Sequence, residues 1–376
     1  MINETRPEHF QNNSVIGRFL SRIHLDSLLL AGLILLSLLS CLILYSTSGQ
    51  HLETLLRQTT RIAIAFFIML FIAQIPPNQI KRYAVNLYII GILMLLAVLI
   101  IGEMGKGAQR WLDLGLFRFQ PSEMIKITTP AAIAWYFSEH ALPPRWKELF
   151  IALLLIAIPT FLIAKQPDLG TALLIASSGA AVFFFAGISW RIMLSSLGGL
   201  IALTPVLWHF MHDYQRARVI TFLNPESDPI GRGYHIIQSK IAIGSGGLYG
   251  KGWLESTQAK LEFLPERSTD FIFAVFAEEF GLLGCVSLLF LYLLITLRSL
   301  YIAVNAQDTF CRLLAGSLSF TFFVYVFVNI GMVIGILPVV GVPLPLISYG
   351  GTSMVTLLIG FGILMSIHTH KNLLSH

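Results

Sequence analysis

Long apolar runs separated by short polar breaks follow one another along almost the whole chain. Bounded by charges or by Pro and Gly, they predict helices near 27 to 46, 61 to 75, 83 to 101, 122 to 138, 149 to 164, 170 to 188, 191 to 209, 270 to 297, 310 to 336 and 348 to 368. Most runs approach the ~20 apolar residues that a helix needs to cross the hydrocarbon core of a bilayer. The expected fold is an all-α polytopic membrane protein of about ten transmembrane helices, a single membrane domain over residues 1–376. A large polar loop, residues 210–269, lies between the seventh and eighth helices, and Gly102 to Pro121 form a second polar connection. The run from Leu28 to Tyr45 has no small-residue cleavage site after it, and reads as an uncleaved first helix, not as a signal peptide.

Composition supports this picture. Of 376 residues, 55% are hydrophobic and 12% charged, outside the range of an average soluble domain. The net charge of +5 is scattered over many loops, with no long basic run or aromatic-interleaved stripe; nucleic acid is excluded as a partner, and membrane lipid is the surrounding medium. Cys41, Cys285 and Cys311 are far apart, in or beside apolar runs, so nothing suggests a disulfide framework or a metal cluster. An even number of helices puts both termini on one side. With the seven Lys and Arg of the long loop set apart, the short connections carry 11 on the terminal side against 7 on the other. Positive charge marks the cytoplasmic side, which makes the long loop extracytoplasmic.

Two polar segments carry candidate chemistry. The stretch Leu261 to Phe273 holds Glu262, Glu266, Arg267 and Asp270 and runs straight into an apolar helix, so Asp270 falls at its first turn. An ionisable group in or beside hydrocarbon is a functional hypothesis by default. The plainer alternative is that Thr269 or Asp270 caps the helix, where a carboxylate meets unpaired amides. Glu278 and Glu279, two to three turns farther on, are expected to hydrogen-bond a loop folded back into the bundle, with a proton relay as the alternative. In the other segment, Lys106, Arg110, Arg118 and Lys126 are interleaved with Trp111, Asp113 and Glu123. These cations fit a pocket for a phosphorylated lipid headgroup, because Arg grips phosphate bidentately and Lys adds a point charge. Lys126 lies at i+3 from Glu123, so an intrahelical ion pair explains it equally well. Trp111 fits an interfacial belt as well as a sugar-stacking platform. Tyr234 to Ala242 has the spacing of a short amphipathic helix at the interface. Pro338, Pro343 and Pro345 around Gly341 break the ninth run and predict an ordered re-entrant loop before Ser348-Tyr349-Gly350-Gly351.

Taken together, Gly105 to Trp111, Arg118 to Glu123, Lys165-Gln166-Pro167-Asp168-Leu169-Gly170-Thr171, Gln238 to Gly247, Leu261 to Gly281 and Gly341 to Gly351 resemble the SEDS family (shape, elongation, division, sporulation) over nearly the whole chain. The Gln-Pro-Asp-Leu-Gly-Thr and Phe-Leu-Pro-Glu-Arg versions resemble its elongation branch. The resemblance implies a multi-pass protein of the cytoplasmic (inner) membrane, with both termini cytoplasmic and the active site outside. Its implied activity is a peptidoglycan glycosyltransferase that polymerises lipid II into β-1,4-linked glycan, taking undecaprenyl-pyrophosphate-linked glycan as substrate and working with a class B penicillin-binding protein. The family's essential Asp maps onto Asp270, a functional Glu onto Glu262, and its basic and aromatic positions onto Trp111, Arg118 and Lys126. One departure is Ser268, where relatives often carry His. On this reading Asp270 is the general base, Glu262 orients the acceptor or holds a metal, and Arg118 and Lys126, with Arg110 and Lys106 nearby, neutralise the pyrophosphate, alone or with a divalent cation such as Mg or Mn; no organic cofactor is implied. A flippase or transporter for the same lipid would use a basic cavity and broken helices too, and a scaffold for a cell-wall complex is the third reading.

Overall fold

A computed structural model describes residues 24–105, 108–113, 118–210, 213–228, 231–261, 263–264 and 266–370. Glu262 and Lys106 lie outside the described residues. Helices α1 (Ser27–Thr47), α2 (Leu52–Ala73) and α3 (Pro77–Ile101) are followed by a small antiparallel sheet of β1 (Glu103–Gly105), β2 (Ala108–Asp113) and β3 (Arg118–Phe119). Helices α4 (Pro121–Ser138), α5 (Trp146–Lys165), α6 (Leu169–Phe185), α7 (Trp190–Ala202) and α8 (Thr204–Phe210) lead into the long loop. That loop contains α9 (Asp213–Leu223), a 3-10 turn at Pro225–Ser227, α10 (Arg232–Gly246) and α11 (Thr257–Lys260); the bundle closes with α12 (Ile272–Val304), α13 (Thr309–Val333) and α14 (Thr352–Thr369).

Among the described residues seven helices are long and apolar enough to cross a membrane, and α6 is a shorter apolar helix. The chain is a multi-pass, all-α membrane protein, and every predicted apolar run holds a helix. Three differences have clear causes. Helix α2 begins at Leu52 instead of 61, because its first turns are polar without being loop: Glu53 and Arg57 pair at i,i+4, and Gln58 is fully buried against Ser40 and the Ser348 carbonyl. The seventh run breaks between α7 and α8, where Pro205 removes an amide. Helix α10 runs beyond the predicted Tyr234 to Ala242, to Arg232–Gly246, because it packs against the bundle: Ser239 donates to the Val333 carbonyl at 2.8 Å, and Gly246 lies against the Ala277 carbonyl with no room for a Cβ.

The eighth run is broken as well. Gly281 adopts φ 64°, ψ −164°, which splits α12 into a short half-helix, 272–280, and a long one. A break inside a bundle leaves backbone groups without intrahelical partners. Residues 247–252 supply them: the Lys251 and Gly252 amides donate to the Glu278 and Glu279 carbonyls at 2.9 and 3.0 Å, and the Leu282 amide donates back to Gly247 at 2.9 Å. The Glu278 side chain completes the joint, accepting from Lys251 Nζ at 2.6 Å, Ser256 Oγ at 2.5 Å and Thr257 Oγ1 at 2.8 Å. Glu278 therefore holds a loop folded back into the bundle, and Ser46 of α1 donates to Glu279.

His24 and His370 stack at 3.9 Å, so the described chain begins and ends on one face. This terminal face also carries Asp26 at the N-cap of α1, paired with Arg298 at 2.5 Å and His368 at 3.3 Å. The opposite, loop face carries the small sheet, the break at Gly281 and the irregular segment 335–351.

Candidate active site at the loop face

Asp270 sits immediately before Phe271, the N-cap of α12, whose own side chain makes no capping hydrogen bond. Thr269 turns its hydroxyl to Glu266. Segment 335–351 packs against this point, irregular as predicted, with Val342 and Leu344 to Ser348 buried. Non-helical backbone at this depth needs partners from side chains. Ser40 donates to the Ile347 carbonyl at 2.9 Å, Tyr292 to Pro345 at 2.7 Å and Asn329 to Val342 at 2.8 Å.

Helix α13 joins Asp270 to the cationic side of the site. Asn329 donates to the Asp270 carbonyl at 2.9 Å, and Tyr325, one turn earlier, lies with its ring 5.3 Å from Lys126 Nζ. Four residues of helix rise ~6 Å, so α13 places the two groups on neighbouring turns of one wall. Lys126 is only 6% exposed and pairs with Glu123 at 2.8 Å, both from α4. The intrahelical ion pair expected from the i+3 spacing is present, and Glu123 lines the groove beside it.

A groove of about 740 Å³ opens beside this pair between α2, α3, α4 and α14. Its mouth holds Arg118, Arg61, Glu123 and Gly351, and its floor is apolar down to Ile75 and Ile80 near the terminal face. Arg61 lies over the Tyr349 ring at 4.6 Å, and among the described residues no carboxylate pairs with it. In the sequence Arg61 stands at the edge of an apolar run and is not singled out; the polar stretch Arg57 to Arg61 before that run is the signal for it.

The other predicted cations part company. Arg110 donates to the Pro167 carbonyl at 2.6 Å and lies 3.5 Å from Asp168, which also caps α6 by accepting from the Thr171 amide. Arg110 thus fastens the sheet to the Gln-Pro-Asp turn and is not presented at the groove mouth with Arg118. Trp111 is half-buried in β2 opposite Glu103. Among the described residues no three His, Cys, Asp or Glu side chains gather as a cation cage, so a divalent cation is not assigned to protein ligands there.

Comparison with known proteins points one way. The chain is 56% identical over 358 residues to the peptidoglycan glycosyltransferase MrdB of Escherichia coli K12, covering 95% of this chain and 97% of that one. It is 38% identical to MrdB of Helicobacter pylori J99, over 92% of this chain and 90% of that one. It is also 38% identical to a probable peptidoglycan glycosyltransferase FtsW of Geobacter metallireducens, over 80% of this chain and 81% of that one. Among solved structures, a chain of a peptidoglycan synthase complex superposes with TM-score 0.80 and 33% identity, covering 91% of this chain and 97% of its own length. The rod shape determining protein RodA of Thermus thermophilus superposes with TM-score 0.70 and 28% identity, covering 92% of this chain and 98% of its own. With residues 19–373 matched by the cell cycle protein family of FtsW, RodA and SpoVE, the chain belongs to that family.

Proposed function

We propose that this chain is a peptidoglycan glycosyltransferase of the elongation type, polymerising lipid II into β-1,4-linked glycan at its loop face, which lies outside the cytoplasmic membrane. Both termini are then cytoplasmic. The observation that carries the mechanism is the placement of Asp270 one turn along α13 from the buried Lys126–Glu123 pair, beside a groove whose mouth holds Arg118 and Arg61. In the reaction the acceptor 4-hydroxyl oxygen attacks the donor anomeric carbon. As that bond forms, the bond from the anomeric carbon to the pyrophosphate oxygen breaks, and its electron pair leaves with the lipid pyrophosphate. Asp270 takes the hydroxyl proton, and the cations offset the charge that develops on the leaving group. The apolar groove accepts the undecaprenyl chain and the Arg pair its pyrophosphate, since planar guanidinium groups match phosphate oxygens. Glu262 keeps the role of orienting the acceptor or holding a metal, and Lys106 belongs to the basic pocket for the phosphorylated headgroup. A class B penicillin-binding protein crosslinks the product; the fold match to a chain of a peptidoglycan synthase complex supports this pairing.

Asp270→Asn tests the base directly. Purified full-length protein with this change is expected to lose polymerisation of lipid II by about 10²- to 10⁴-fold while folding normally. Wild-type glycan synthesis by that variant would sink the mechanism. Arg61→Ala and Arg118→Ala are expected to raise KM about 10- to 100-fold each, for the loss of roughly 1.5–3 kcal/mol of charge-assisted hydrogen bonding; unchanged KM in both would remove the groove mouth from the substrate site. A flippase reading predicts the reverse result, scrambling of labelled lipid II across vesicles by protein that makes no glycan.

A further inference from the structure

A general base works only if its carboxylate is held in place, and Asp270 precedes the N-cap of α12, outside the regular turns of that helix. Three successive carbonyls are instead pinned from across the site. Ser268 accepts from the Tyr349 amide at 2.8 Å, Thr269 from the Ser348 hydroxyl at 2.6 Å, and Asp270 from Asn329 Nδ2 at 2.9 Å. The first two donors belong to segment 335–351. Asn329 comes from the interior of α13 and is the donor that reaches Asp270 itself.

The same Nδ2 also donates to the Val342 carbonyl at 2.8 Å. One side chain therefore ties Asp270 to the stretch containing Gly341, whose backbone lies against the carboxylate. A Cβ at Gly341 would stand 3.6 Å from Asp270 Oδ2, and its φ of 76° disfavours any side chain. Asn329 is fully buried, and among the described residues its Oδ1 has no hydrogen-bond partner. An amide at this place carries the desolvation cost of that oxygen, which a leucine of similar size would avoid. A leucine would leave the Asp270 and Val342 carbonyls without these donors, and an aspartate would set oxygen against oxygen.

We infer that Asn329, seconded by Ser348, is a positioning residue of the active site: it fixes the backbone of Asp270 so that the carboxylate meets the acceptor hydroxyl, acting through Asp270 and not on the substrate. The inference rests on Asp270 being the base, and the experiment separates the two. Lipid II polymerisation by the full-length chain with its transpeptidase partner is measured for Asp270→Asn, Asn329→Ala, Ser348→Ala and the double variant Asp270→Asn/Asn329→Ala, each checked for monodispersity and thermal unfolding. Asn329→Ala is expected to lower kcat about 10- to 100-fold with KM within about twofold of wild type, and to add nothing in the Asp270→Asn background, as expected of residues acting as one unit. Folded Asn329→Ala with wild-type kcat, a loss carried by KM alone, or an equal further loss in the Asp270→Asn background each overturns the inference. If Asn329→Ala does not fold, Ser348→Ala decides: a kcat-selective loss of about 3- to 10-fold supports it, and wild-type kcat overturns it. Full activity of Asp270→Asn defeats the underlying mechanism instead.

Discussion

The two faces of the bundle use the same charged residue types differently. On the terminal face, acid and base meet across helices: Asp26 with Arg298 and His368, Lys81 with Glu139 at 2.8 Å. Asp26 also caps α1, accepting from the Leu29 amide at 2.8 Å, and the helices there start and stop in ordinary ways. On the loop face, α12 is split at Gly281, segment 335–351 is irregular, and Arg61 rests on an aromatic ring at the mouth of a groove. Ionic groups that only hold helices together can be neutralised within the protein. The loop face has ion pairs too, Arg110 with Asp168 and Lys251 with Glu278, but there irregular backbone is held by Ser, Asn, Gln and Tyr side chains instead of by regular helix.

The Lys126–Glu123 pair tests this contrast most severely, because it belongs to both descriptions. Lys126→Met strands Glu123 in a buried site and is expected to cost roughly 3–5 kcal/mol of stability together with activity. The double variant Glu123→Gln/Lys126→Met removes the stranded charge, so unfolding temperature should recover while polymerisation stays low. Recovery of both would make the pair structural alone. A smaller effect is expected at the folded-back loop. Glu278→Gln keeps the shape but weakens the bonds from Lys251 and Ser256, at a cost of roughly 1.5–3 kcal/mol; limited proteolysis should then cut within 247–257 faster than in wild type, and unchanged cleavage would show that backbone pairing alone holds the joint.

The least costly change is at the terminal face. Burial alone would raise the Asp26 carboxyl, but hydrogen bonds from Arg298 and the Leu29 amide, with the charges of Arg298 and His368, outweigh it and hold it below the usual carboxylate range. A group depressed in the folded state contributes stability above its unfolded pKa and loses it as pH falls through its folded value. Asp26→Ala is expected to cost about 1–2 kcal/mol at neutral pH, most of it the helix cap. The gap between wild-type and variant unfolding temperatures should begin to narrow as pH falls below the ordinary carboxylate value of about 4; a gap constant with pH would mean that the loss is packing and not charge.

The length of the apolar runs places the membrane-crossing helices, though not their starts and breaks, because crossing lipid demands long apolar runs with internally satisfied backbone. The motifs Thr269-Asp270-Phe271 and Arg118 to Glu123 marked the candidate site for the same kind of reason: polar groups are sparse here, so those retained at helix ends stand out. Roles were less legible. Arg110 and Arg118 look alike in sequence, yet one is fastened to the Pro167 carbonyl and the other lines the groove. Gly281 reads as one more residue of an apolar helix until Gly247 to Gly252 are seen meeting its neighbours' backbone, and Asn329 reads as a polar blemish in α13 until Asp270 is seen beside it. Local pattern determines whether a segment enters the membrane; only the folded chain decides which side chain reaches which partner, since that depends on contacts between residues 27, 57 and 59 positions apart.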